Sequence, residues 1–92
     1  MSETRAVAVV TGASSGIGLE SAKALAAMGW SIIAVGRDPA RCAAAETEIR
    51  ASSCGGSVTV LQADLALMSD VALLAENIAK LTDRIHVLIN NA

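Results

Sequence analysis

The stretch TGASSGIG, Thr11 to Gly18, holds the residues of this chain whose types and spacing most directly imply chemistry. Gly12, Gly16 and Gly18 follow a run of valines and lead into a helical pattern. A helix N-terminus presents unpaired N–H groups and about half a unit of positive charge, so a loop entering it favours a phosphate. Gly12 permits a tight turn, Gly16 has no Cβ to hold phosphates off, and Gly18 lets helix and strand pack closely. Ser14 and Ser15 can offer hydroxyls to ribose or phosphate oxygens, and Ile17 is counted with the loop as part of the same site. Glycine-rich turns often do nothing but turn, so the string needs its context. A Walker-type P-loop does not fit, because no Gly-Lys-Ser/Thr follows the glycines.

The elements that must position this loop alternate. AVAVVT, Ala6 to Thr11, is a short apolar run that suits a strand buried on both faces. A helix is predicted from Gly16 to Met28, with Ile17, Ser21, Leu25 and Met28 on its inner face and Gly29 at its end. SIIAVG, Ser31 to Gly36, reads as a second strand. Asp38 then suits an N-cap with Pro39 at the first helical position, and Cys42, Ala45 and Ile49 face inward on a helix running to Ala51. A third strand is predicted over Ser57 to Ala63. Ser69 caps a last helix with the stripe Val71, Leu74, Ala75, Ile78 and Leu81. IHVLINN, from Ile85, closes the chain as a fourth strand.

Strands and helices alternating with short connections imply a parallel sheet with right-handed helical crossovers. The expected fold is therefore α/β, a partial three-layer doubly wound sheet of Rossmann-like type with strand order 3-2-1-4. Ligands of such sheets bind beyond the C-terminal strand ends at the switch point, here between strands one and four. The glycine loop and the terminal Asn90, Asn91 and Ala92 would meet there.

Size and composition agree with one small domain over residues 1–92. A domain of this size buries only about 60–65% of its unfolded-chain surface, so the core is thin. Apolar residues make up 53% of the chain, yet Phe and Tyr are absent and Trp30 is the only aromatic, so that core is aliphatic. The net charge of −2 comes from scattered charges of both signs, which argues against a nucleic-acid surface. Cys42 and Cys54 lack CxxC spacing and read as buried or half-buried thiols of a reducing compartment rather than metal or redox groups. The N-terminus lacks a long apolar signal region, and no stretch approaches the ~18 apolar residues of a membrane span. The expected location is cytoplasmic, with no membrane partner.

Four segments in order, TGASSGIG, GRDPAR (Gly36 to Arg41), ADL (Ala63 to Leu65) and LINNA (Leu88 to Ala92), resemble the N-terminal half of the short-chain dehydrogenases/reductases. The resemblance covers essentially the whole chain. It implies a nicotinamide dinucleotide cofactor and an oxidoreductase moving hydride between that cofactor and a small carbonyl or secondary alcohol. A homo-oligomer is the expected assembly of the complete enzyme. NAD-preferring dinucleotide folds usually carry an acid at the end of strand two. Here Gly36 removes the carboxylate that would repel a 2′-phosphate, and Arg37 offers a planar charged fork to hold it. In the family this pairing goes with NADP over NAD. Asp38 is the other candidate ribose acid, although Pro39 after it favours the cap. The plainer reading of Arg37 is a solvated charge at a strand end.

The resemblance also implies that Asp64 meets the adenine amino group while the Leu65 N–H meets the ring, against a simple turn aspartate. It places Asn90 and Ala92 against the adenosine ribose through their backbone, with the asparagine amides tying strands together. His86, the single histidine, reads as a partly exposed strand residue rather than a catalytic group. The family's reaction uses a Ser-Tyr-Lys constellation. This chain has no tyrosine, and Lys23 and Lys80 fall on helix surfaces. The expectation is an N-terminal portion of a larger enzyme, itself inactive. The alternative is a stand-alone, non-catalytic dinucleotide-binding or sensor module.

Overall fold

The computed structural model describes residues 6–14, 16–82 and 84–90. Its order is β1 (Val7–Thr11), α1 (Gly16–Ala27), β2 (Ser31–Gly36), α2 (Pro39–Ser52), β3 (Val58–Gln62), α3 (Met68–Leu81) and β4 (Val87–Asn90). The four strands form one parallel sheet in the order β3-β2-β1-β4, as the alternation predicts. The strands are tighter than predicted: β1 begins at Val7 rather than Ala6, β3 spans Val58–Gln62 rather than Ser57 to Ala63, and β4 begins at Val87 rather than Ile85.

The β1 and β2 runs VAVVT and SIIAVG are almost wholly buried because helices cover both their faces. Alternation along the strands divides the core. Ala8, Val10, Ile32 and Ala34 face α1 and α2, where they meet Ala22, Ala26, Ala45 and Ile49. Val9, Ile33 and Val35 face the other way, toward Leu74 and Ile78 of α3. The first two crossovers therefore lie on one side of the sheet and the third on the other, which makes it doubly wound.

Helix α2 matches its prediction closely. The Asp38 carboxylate accepts from the Arg41 N–H at 2.8 Å, Pro39 occupies the first turn, and Cys42, Ala45 and Ile49 are buried. Arg50 closes the other end, donating to the Val58 carbonyl at 2.9 Å and pairing with Glu46. Helix α1 corrects its prediction. Its buried residues are Gly18, Ala22 and Ala26, whereas Ile17 is 74% exposed and Met28 69% exposed. The helix lies so close to the sheet and α2 that its seam takes only small side chains, and larger apolar residues are turned outward or to the flank. Leu25 keeps partial contact with the core, and Ser21 is half-buried.

Three further predictions need correction. Ser69 does not cap α3; the capping position is Leu67, with no side-chain hydrogen bond. Of the predicted α3 stripe only Leu74 is buried and Ile78 half-buried, while Val71, Ala75 and Leu81 are exposed. Cys42 is buried as expected, but Cys54 is exposed in the turn after α2. Among the described residues no helix is long and apolar enough to cross a membrane.

Candidate cofactor-binding site

Parallel register brings the C-terminal ends of the strands level. Thr11 of β1 stands beside Val35 of β2 and Asn90 of β4, and Gly36 stands beside Gln62 of β3. The glycine loop, Arg37, the Asp64 turn and Asn90 all leave the sheet from this one edge.

The loop takes its shape from its glycines. Gly12 and Gly16 have φ of 63° and 61°, a left-handed conformation that other residues rarely adopt. Apart from its chain neighbours and its own helix backbone, a Cβ built on Gly16 would meet no atom of the described residues within 4 Å, so the space beside this backbone is open. Gly18 is buried against the core, consistent with a role in close packing. Ala13, almost fully buried, anchors the loop by donating its N–H to the Val35 carbonyl at 3.1 Å. Helix α1 carries no acidic residue in its first turn, so no carboxylate competes for the positive end of its dipole. Ile17, predicted to face inward, instead stands exposed at the start of α1 next to the loop.

Arg37 is exposed just past β2, free of any ion pair among the described residues, while Asp38 beside it is engaged as the α2 cap. The cap occupies one carboxylate oxygen of Asp38, whereas no ion pair holds the Arg37 guanidinium among the described residues. Burial, aided by the Asp38 charge, raises the Cys42 thiol above the ordinary thiol pKa. That side chain lies under the same corner, lined by Ala13, Ser14 and Gly36.

Asp64 is partly the turn aspartate of the plainer reading. Its Oδ1 accepts from the Ala66 N–H at 3.0 Å, and its own N–H is held by Asp70 Oδ2 at 2.8 Å. Leu65 is half-buried against Ile33 and Val35 through the second core cluster. Asn90 is exposed at the end of β4, and its Oδ1 accepts from the Thr11 hydroxyl at 2.9 Å, tying the two strands as predicted for these amides. Ser15, Asn91 and Ala92, also predicted for the site, lie outside the described residues.

Sequence reasoning missed two contributors, Thr11 and Asp70. Thr11 was read only as a strand end, yet it is buried and links β1 to β4. Asp70 orients the Asp64 turn from six residues away, a spacing that carries no recognised signal. His86 is exposed before β4, where its ring Nδ1 accepts from the Val7 N–H at 2.9 Å and its backbone N–H donates to the Val7 carbonyl. This is the edge opposite the glycine loop, so the histidine stands apart from the site.

The residues present fit a dinucleotide: open space beside Gly16, a helix N-terminus with no acidic residue in its first turn, and an arginine at the neighbouring strand end. Comparison with known proteins points the same way. The sequence model of the short chain dehydrogenases matches residues 6–92. Retinol dehydrogenase 13 of Homo sapiens is 38% identical over 84 residues, covering 91% of this chain and 25% of that protein. A metagenomic short-chain oxidoreductase solved in complex with NADP matches with a TM-score of 0.84 and 38% identity, covering 95% of this chain and 38% of that one. An actinorhodin polyketide ketoreductase solved with NADPH matches with a TM-score of 0.86 and 30% identity, covering 96% of this chain and 33% of that one. The chain spans about a quarter of the length of the curated relatives it matches. On the strength of the ordered motifs, the doubly wound sheet and a family match across nearly all its residues, this chain belongs to the short chain dehydrogenase family.

Proposed function

We propose that this chain is the N-terminal, NADP-binding portion of an oxidoreductase acting on a carbonyl or secondary alcohol. The observation that carries the reading is the junction of β1 and α1: an open backbone cradle at a helix N-terminus whose first turn has no acidic residue, with Arg37 on the adjoining strand end. NADP, when bound, supplies the hydride chemistry. The loop backbone from Gly12 to Gly18 holds the diphosphate with its N–H groups, and Ser14 and Ser15 add hydroxyl donors. Arg37 holds the 2′-phosphate, which an acid in its place would repel. Asp64 and Leu65 receive the adenine, and Asn90 and Ala92 line the adenosine ribose. Ile17 adds an apolar wall at the start of α1.

The chain has no tyrosine, so in the family's reaction its residues bind and orient while the proton-transfer group comes from elsewhere in a longer polypeptide. The apolar groove between α3 and β4, lined by Val9, Ile78, Ile85 and Leu88, supports a larger protein around this unit. Cytoplasmic location and homo-oligomeric assembly are part of the same proposal.

Titration with NADPH and NADH tests the cofactor reading. Arg37→Glu removes charge-assisted hydrogen bonds worth about 1.5–3 kcal/mol and adds a repulsive charge, so NADPH binding should fall by roughly tenfold to a hundredfold. NADH binding should change little. Equal losses for both cofactors would remove the case for NADP. Sedimentation of the 92-residue chain tests the larger-protein reading. A discrete soluble species that binds NADPH tightly would favour the stand-alone module.

A further inference from the structure

The glycine at position 36 is held there by its neighbours as well as by any ligand. A Cβ on Gly36 would stand 2.8 Å from Cys42 Sγ, 3.1 Å from Ser14 Cβ and 3.3 Å from Ser14 Oγ. These atoms come from two separate segments. Ser14 belongs to the glycine loop, whose Ala13 N–H is bonded to Val35 at the end of β2. Cys42 lies in the first turn of α2, which is fixed by the Asp38 cap and by the Cys42 N–H donating to the Asp38 carbonyl at 2.9 Å.

The thiol has little freedom to leave. Cysteine has one side-chain torsion, and one of its three wells is rarely populated on a helix. Cys42 is 7% exposed and packed among small core residues. A side chain at position 36 must therefore displace the thiol, the glycine loop, or the first turn of α2.

We propose that Cys42 is a specificity-determining residue: its side chain fills the space that an acid at position 36 needs, and so holds the chain to glycine there and to NADP. The inference rests on the reading of Gly36 and Arg37 given above. Cys42 acts through Gly36 and Ser14 and is a positioning residue, not one that touches the cofactor. The consequence is a coupling. Gly36→Asp alone fails to create NAD binding, because the aspartate enters by pushing the phosphate-holding loop out of place. Removing Sγ frees the site for it.

The test is a pair of mutant cycles in the protein at its full natural length, read by thermal unfolding and by NADPH and NADH titration. Gly36→Ala adds only the crowding methyl. It should lower the melting temperature by several degrees and weaken both cofactors by roughly tenfold, the scale of an overpacked core position. Adding Cys42→Ala should recover most of both losses, whereas Cys42→Ser, which keeps an atom at the γ position, should not. Gly36→Asp with Cys42→Ala should bind NADH at least about tenfold better than Gly36→Asp alone, shifting the NADPH-to-NADH ratio. Additive effects of positions 36 and 42, or an efficient NADH-binding Gly36→Asp single variant with unchanged stability, would overturn the inference. A wild type with equal affinity for the two cofactors would instead overturn the Arg37 reading and with it the specificity claim. The thermal cycle would still report the steric coupling, so the two failures are distinguishable.

Discussion

The two faces of the sheet are finished to different degrees. On the α1–α2 face, small residues of one helix meet buried side chains of the other, and Ile49, Val10 and Ile32 are almost wholly excluded from water. On the α3 face, Leu74 is the one buried residue of the helix, and Leu88 of β4 is 64% exposed. The glycine loop and β2 end belong to the finished side. A cofactor cradle demands positions fixed to fractions of an ångström, and tight packing against α1 and α2 supplies them. The α3 face shows apolar surface that nothing among the described residues covers.

Mutation should expose this contrast most sharply in the core. Ile49→Ala removes a fully buried side chain from the closed face and should cost about 2–5 kcal/mol in denaturant unfolding. A loss below about 1 kcal/mol would show that this face is looser than its burial implies. The helix starts offer the next comparison. Asp38→Ala should cost about 1 kcal/mol, because it strips the α2 cap, while Ser69→Ala on α3 should fall within about 0.5 kcal/mol. Similar losses for both would mean that Ser69 caps after all.

The two thiols divide the molecule in the same way. Cys54 should react with iodoacetamide first, and Cys42 only on unfolding, since burial both shields it and keeps it protonated. Because the folded state raises that thiol's pKa, the associated stability is present below the ordinary thiol pKa and is lost as pH rises past it. Mass-resolved labelling with Cys42 modified as fast as Cys54 would contradict the packing at Gly36. The smallest effect belongs to the open face. Leu88→Lys should change unfolding stability by no more than about 0.5 kcal/mol while reducing self-association in sedimentation. A large stability loss would mean that Leu88 is already covered.

Sequence made legible what short-range rules govern. Buried β1 and β2 are continuous apolar runs, Asp38-Pro39 announces a helix start, and the Cys42, Ala45, Ile49 spacing marks the inner face of α2. The glycine loop was legible because its backbone needs are local. Helix α1 departs from the sequence pattern because large apolar residues do not mark its inner face. There the proximity of sheet and neighbouring helix decides, and it selects Gly18, Ala22 and Ala26. The bonds of Thr11 with Asn90 and Val7 with His86 join residues some 80 positions apart, beyond the reach of any local pattern. The crowding of Gly36 by Cys42 and Ser14 was hidden for the same reason, since it depends on where three segments converge.

Short as it is, β4 is fastened by a side chain at each extremity, His86 Nδ1 to the Val7 N–H at one and Thr11 to Asn90 at the other. Sliding the strand by one residue would undo both fasteners together and turn Val87 and Ile89 away from the interior they now adjoin. The margin of the sheet is thus set before anything lies alongside it, and a further strand arriving there would find a template that does not have to choose its alignment.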